Sequence, residues 1–311
     1  MIAFIFPGQG SQFVGMGRRF YQEYDFVRDI FAAADKALGM PLTELIFQGP
    51  AEELQKTVNA QPALLTVSTA MYEIIRRAGV RPSAVAGHSL GEYSALVAAE
   101  AIGFQDAVRL VRQRGRFMQE AVPLGRGGML AVLGLEPEKV EEGCRRAAGL
   151  GVIEAANYNC PGQVVVAGEN AALDGAQPVF KELGARRCIR LQVSAPFHCS
   201  LMEPARVKLA AELSRVEIKD PAIPVVANAS AGYVRTAQEV REALARQVAA
   251  PVLWEQSVRR LLADGCRLFV EVGPGQVLTG LVKKIDRNTR ALNFNDQTDP
   301  QEIIARLKEA V

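Results

Sequence analysis

With 311 residues, 49% of them apolar, the chain can build a large core domain or a core carrying an inserted unit, and disorder is excluded as the dominant state. Its 36 Lys and Arg nearly cancel 34 Asp and Glu, leaving +2, which argues against a nucleic-acid glove or a polyacidic tail. Five cysteines with no CxxC spacing and no Cys/His cluster argue against a disulfide framework and a zinc site, and read as reduced thiols.

The opening run Met1 to Phe6 is apolar and breaks at Pro7-Gly8, without a basic flank or small-residue cleavage site, so it reads as a strand over 2–6 rather than a signal peptide. A helix is expected after the glycine-rich turn that follows. Residues 61–78 place Leu64, Leu65, Val67, Met71, Ile74 and Ile75 near a 3.6 period and stop at Gly79, which predicts a second helix. A strand over 84–87 leads into a helix from 89 to about 99, and another helix covers 104–121, stopped by Pro123. No stretch approaches the roughly 18 apolar residues of a membrane span, so a soluble, cytoplasmic protein without membrane contact is expected. Short strands alternating with longer helices predict an α/β fold around a mainly parallel sheet.

Gly125-Arg-Gly-Gly128 reads as a hinge into a unit of different texture. There follow strand 129–134, helix 137–148, strand 152–158, a turn at Cys160-Pro-Gly162, strand 163–167, helix 170–183 and strand 185–192. This βαββαβ order is that of a ferredoxin-like α+β subdomain. The expected division is a core of 1–125 and 196–311 with the insertion at 126–195. Beyond Pro196 long helices and short strands return, the strands at 223–227 and 267–272.

The strongest chemical signal is Ala84-Val-Ala-Gly-His-Ser-Leu-Gly-Glu92, a Gly-x-Ser-x-Gly pentapeptide between a strand and a helix. Such an elbow projects the serine hydroxyl at a helix N-terminus, where free N–H groups and the helix dipole stabilise an oxyanion. A glycine-flanked turn whose serine only caps the helix would look alike in isolation; the flanking strand and helix favour Ser89 as nucleophile. A serine needs a base, and the chain has two histidines. His88 adjoins the nucleophile on a sharp turn and should point away from it, whereas His198 lies on a loop able to approach. The turn Pro7-Gly-Gln-Gly-Ser-Gln12 lacks the Lys-Ser/Thr of a phosphate loop, and Phe13 fills the third glycine position of a dinucleotide fingerprint. It reads equally as a plain tight turn or as a second oxyanion donor through the Gln9 N–H. Arg109, Arg112, Arg114 and Arg116 share one helix, and one of them turned inward would hold a carboxylate.

Taken together, these residues resemble the malonyl-CoA:acyl-carrier-protein transacylase family of bacterial fatty-acid synthesis, essentially end to end. The likeness rests on Gly8-Gln-Gly-Ser-Gln12, Asn59-Ala-Gln-Pro62, Gly87-His-Ser-Leu-Gly-Glu92, Gln113-Arg-Gly115, Asn157-Tyr-Asn159, Pro161-Gly-Gln163, Pro196-Phe-His198, Gln247, Pro251-Val252, Trp254 and Glu271-Val-Gly-Pro-Gly275. Cys160 departs from an expected serine. The resemblance implies a hydrolase-like α/β core with a ferredoxin-like insertion. It implies Ser89 as nucleophile, His198 as base and later acid, and Arg114 as receptor of the malonyl carboxylate. The N–H groups of Gln9 and Leu90 would form the oxyanion hole. The Gln247 main-chain carbonyl would orient His198 without a triad carboxylate, Gln61 matches an active-site glutamine, and Phe197 fits malonyl selection.

No metal and no cofactor are implied; the partners are malonyl-CoA and phosphopantetheinylated acyl carrier protein, with no nucleic acid. Carrier proteins are acidic, so a basic rim is expected, from Lys181, Arg186, Arg187 and Arg190 or from Lys283, Lys284 and Arg287. The competing readings are an acyltransferase of a polyketide or malonate-decarboxylase system, a serine esterase or thioesterase using Asp106, Asp174 or Glu182 as its acid, and a non-catalytic scaffold.

Overall fold

A run that is apolar at every position needs cover on both faces, and Ile2–Phe6 (β1) finds it as an inner strand buried along its whole length. The computed structural model describes residues 1–309. The remaining strands are Ala84–Gly87 (β2), Gly127–Leu133 (β3), Ile153–Cys160 (β4), Gln163–Glu169 (β5), Arg187–Arg190 (β6), Val225–Val226 (β7), Tyr233–Val234 (β8), Leu268–Val272 (β9) and Arg290–Phe294 (β10). Six of them form one sheet in the order β10-β9-β1-β2-β7-β8, parallel throughout except for the β7–β8 pair. The Thr57–Arg77 and Phe104–Glu120 helices carry the larger apolar core on one side; Trp254, Val258, Phe269 and Leu281 belong to a second cluster.

β3 to β6 form a separate antiparallel sheet in the order β4-β5-β3-β6, with the Pro137–Ala147 and Asn170–Glu182 helices packed on it. Its edge strand β4 is tied to the core: the Tyr158 N–H donates to Val252 O at 2.9 Å, and the Val252 N–H to Ala156 O at 2.8 Å. A register shift between Ala155 and Asn157 lets that carbonyl turn outward from the β5 ladder.

Most expected elements stand within a few residues of their places. The exceptions are local. The helix expected directly after the first glycine-rich turn begins only at Arg18, because Pro7 and a succession of glycines keep the intervening chain irregular. The strand expected over 223–227 shrinks to Val225–Val226, where Pro224 removes a donor at its start, and the one expected over 185–192 pairs only at Arg187–Arg190. β8 and β10 had no strong apolar run to announce them. Among the described residues no helix is long and apolar enough to cross a membrane.

Candidate active site

The elbow sits at the C-terminal end of β2, the edge of a parallel sheet at which ligands gather. The chain turns sharply enough that a Cβ on Gly91 would stand 2.0 Å from Phe6 O, so only glycine fits there. Ser89 is held at φ 52° and ψ −106°, a conformation costing about 1–3 kcal/mol for a residue with a side chain. Two side chains hold it. The Ser89 N–H donates to Asn228 Oδ1 at 2.7 Å, and Ser89 O accepts from Gln247 Nε2 at 2.9 Å.

His198 also lies at positive φ, 62°, and is 3% exposed. Its Nε2 is 2.7 Å from Ser89 Oγ and its Nδ1 is 2.9 Å from the Gln247 main-chain carbonyl. A carbonyl only accepts, so Nδ1 carries the proton and Nε2 is the free base facing the hydroxyl. Burial first, and then the charge of Arg114, push His198 down to about 3, so the resting imidazole is neutral. His88 takes another role: its Nε2 lies 2.9 Å from Asn159 Oδ1 on β4, and its ring stands 5.7 Å from that of Trp254.

Of the four arginines that the helix pattern left open, the one turned inward is Arg114, to which the family resemblance pointed. Arg114 is 1% exposed, donating from one terminal nitrogen to Gln61 Oε1 at 2.8 Å and from the other to Ser89 Oγ at 3.1 Å and Gln247 Oε1 at 2.8 Å. Its guanidinium lies over the Tyr93 ring at 5.3 Å, and burial lowers its affinity for the proton. Among the described residues no carboxylate lies within 4.0 Å of it. Arg109 pairs with Asp106 and Arg116 with Glu120 on the surface, while Arg112 reaches Met40 and, at 3.4 Å, Asn59. The candidate triad acids of a hydrolase are taken elsewhere: Asp106 by Arg109, Asp174 by Arg190 and Glu182 by Arg146.

A cavity of about 460 Å³ brings Gln9, Gln61, Ser89, Leu90, Arg114, Phe197 and His198 to one surface. Leu90 opens its helix, so its N–H has no intrahelical acceptor. The Gln9 loop is tethered by a bond from Gln9 Nε2 to Thr57 Oγ1 at 3.1 Å. Gln247 lies behind the cavity wall, fully buried. Sequence reasoning missed two members of this assembly, Glu92 and Asn228. The one charged side chain in a helix otherwise free of charge was the available signal for Glu92; a lone asparagine after a short strand offered none for Asn228.

The chain is similar along its whole length to known proteins. The acyl transferase domain family matches residues 3–309. The malonyl CoA-acyl carrier protein transacylase of Bacillus subtilis is 47% identical over 309 residues, 99% of this chain and 98% of that one. The crystal structure of an acyl carrier protein S-malonyltransferase from Vibrio cholerae superposes with a TM-score of 0.95 at 42% identity, covering 97% of this chain and 99% of that one. A malonyl-transacylase solved in complex with its type II polyketide acyl-carrier protein gives a TM-score of 0.94 at 44% identity, with 99% of each chain covered. The chain belongs to the acyl transferase domain family.

Proposed function

We propose that the chain transfers the malonyl group of malonyl-CoA to the phosphopantetheine thiol of acyl carrier protein, through a malonyl ester on Ser89, in fatty-acid synthesis. The observation that carries this reading is one hydroxyl with a base and a cation beside it: Ser89 Oγ lies 2.7 Å from His198 Nε2 and 3.1 Å from Arg114. His198 Nε2 takes the Ser89 proton as Oγ attacks the thioester carbonyl. The oxyanion is met by the N–H groups of Gln9 and Leu90. Collapse expels the CoA sulfur, which leaves with the proton from His198. In the second half the carrier-protein thiol gives its proton to His198 and attacks the ester, and Ser89 Oγ regains a proton on departure.

Arg114 serves both selection and catalysis. Its positive charge opposes protonation of His198. A malonyl carboxylate bound to the guanidinium cancels that charge, so the correct substrate makes the base stronger when it arrives. Acetyl-CoA leaves the buried cation uncompensated, a loss of about 1–3 kcal/mol. Phe197 on the cavity wall supports selection of a small acyl group.

The Val277–Ile285 helix lines the cavity mouth with Val277, Leu278 and Leu281 and ends on exposed Lys283 and Lys284, which favours it over the Arg186–Arg190 group for docking an acidic carrier protein. Arg190 is already engaged by Asp174. Five cysteines free of disulfides support a cytoplasmic setting. The division into a core of 1–125 and 196–311 and a subdomain of 126–195 is supported by the apolar cluster that one face of the small sheet forms with its own helices, while Met129, Ala131, Val165 and Ala167 on the other face join the main core.

An intact mass spectrum after brief mixing with malonyl-CoA tests the reading. The wild type should gain one malonyl adduct that passes on to added carrier protein, and Ser89→Ala should gain none. Rapid release of free malonate would instead make the protein a hydrolase, and no adduct on the wild type would make it a scaffold. A polyketide carrier as acceptor is the second reading, favoured by the similarity to the complex with a type II polyketide carrier protein. Comparing transfer to the two carrier types decides between them.

A further inference from the structure

Glu92 is 1% exposed, in the first turn of the elbow helix, and the two-step chemistry does not use it. Its Oε2 accepts two hydrogen bonds, from Gln247 Nε2 at 2.8 Å and from the Asn228 N–H at 3.0 Å. The Asn228 side chain then spans the elbow, accepting from the Ser89 N–H and donating to Gly87 O at 2.7 Å. The Gln247 side chain donates to Ser89 O and accepts from Arg114.

We propose that Glu92 is a positioning residue of this acyl-transfer site. Its Oε2 sets the orientation of the Gln247 side-chain amide and the seat of Asn228, and through them holds both the strained Ser89 turn and the Arg114 guanidinium. The reason is donor and acceptor arithmetic. Gln247 stands between an oxygen that accepts and a guanidinium that only donates, so one of its two amide orientations is satisfied and the other sets donor against donor. Because Oε2 is occupied by two donors, a proton on the carboxyl, which burial pushes up to about 7, sits on the other oxygen and leaves the arrangement intact. The geometry also keeps the carboxyl one amide away from Arg114. A carboxylate in direct contact would compete with the malonyl carboxylate for the same fork.

The inference rests on the acyl-transfer reading, and one set of rate measurements separates the two. Acylation of Ser89 by malonyl-CoA and by acetyl-CoA is followed by quenched intact mass for wild type, Glu92→Ala, Glu92→Gln, Gln247→Ala and the Glu92→Ala/Gln247→Ala double variant. The malonyl-to-acetyl rate ratio should fall at least tenfold in Glu92→Ala and be restored to within about threefold of wild type by Glu92→Gln, whose amide oxygen still accepts. Gln247→Ala, which keeps the main-chain carbonyl on His198, should lose the ratio alike, and the double variant should be no worse than the poorer single. A natively folded Glu92→Ala with an unchanged ratio overturns the inference, as do failed rescue by glutamine or multiplicative losses in the double variant. If Glu92→Ala does not fold, an unchanged ratio in Gln247→Ala overturns it. A wild type that takes no malonyl group sinks the acyl-transfer reading itself; a malonyl-selective wild type indifferent to Glu92 sinks only the inference.

Discussion

Arg114 and His198 share one electrostatic environment, and under the proposed acyl transfer this ties specificity to reactivity. Removing the guanidinium in Arg114→Ala should lower the malonyl preference by about ten- to hundredfold, the equivalent of about 1–3 kcal/mol, read as competing acylation by malonyl- and acetyl-CoA. The same variant should raise the His198 pKa, since a positive neighbour is gone while burial persists; histidine NMR titration checks this. A rise that failed to appear would mean burial alone holds the imidazole neutral. Asn228 offers a different kind of residue-scale test. Asn228→Ala leaves the Ser89 N–H and Gly87 O without their partners, and should cost about 1–3 kcal/mol of stability in denaturant unfolding and slow acylation.

Gln61 and Arg114 come together because two helices cross closely. A Cβ on Gly115 would lie 2.7 Å from Thr57 O, a backbone atom that cannot swing away. Gly115→Ala should therefore cost about 1–3 kcal/mol and part Gln61 from Arg114, lowering thermal stability and malonyl selectivity together. By contrast, the Ala237–Gln247 helix starts at a capping box in which Thr236 accepts from the Glu239 N–H. Thr236→Ala should lower stability by about 1 kcal/mol while leaving the malonyl-to-acetyl ratio unchanged, because the far end of that helix is fixed by its packing. A change in ratio there would mean the helix transmits strain to Gln247.

For the molecule as a whole, the buried titratable groups set opposed pH dependences. His198 falls from 6.5 to about 3 on folding, so the unfolded chain binds a proton there that the native one refuses. That contribution to stability is complete above about pH 6.5 and is lost as the pH falls toward 3. Glu92 rises from 4.5 to about 7, so its contribution is present below 4.5 and is lost as the pH rises through 7. Thermal unfolding of wild type and His198→Gln isolates the first effect. The wild-type midpoint should drop more steeply than that of the variant between pH 6.5 and 4, and parallel curves would show that the imidazole is not neutral when buried.

Elements whose signals are local could be read from the chain alone. A run of apolar residues at β1, the glycine-flanked serine after β2 and the 3.6 period of the Thr57–Arg77 helix each require only neighbours along the chain. The sequence also narrowed the base proposed for Ser89, since a chain with two histidines offers few candidates. Local pattern left four arginines open and the family resemblance pointed to Arg114; the inward turn of Arg114 itself depends on what packs opposite it, which the folded chain alone supplies. The same holds for Glu92, Asn228 and the side-chain amide of Gln247. Their roles are hydrogen bonds between residues more than 130 positions apart, and chain spacing carries no record of which donor will face which acceptor once the sheet and its helices have closed.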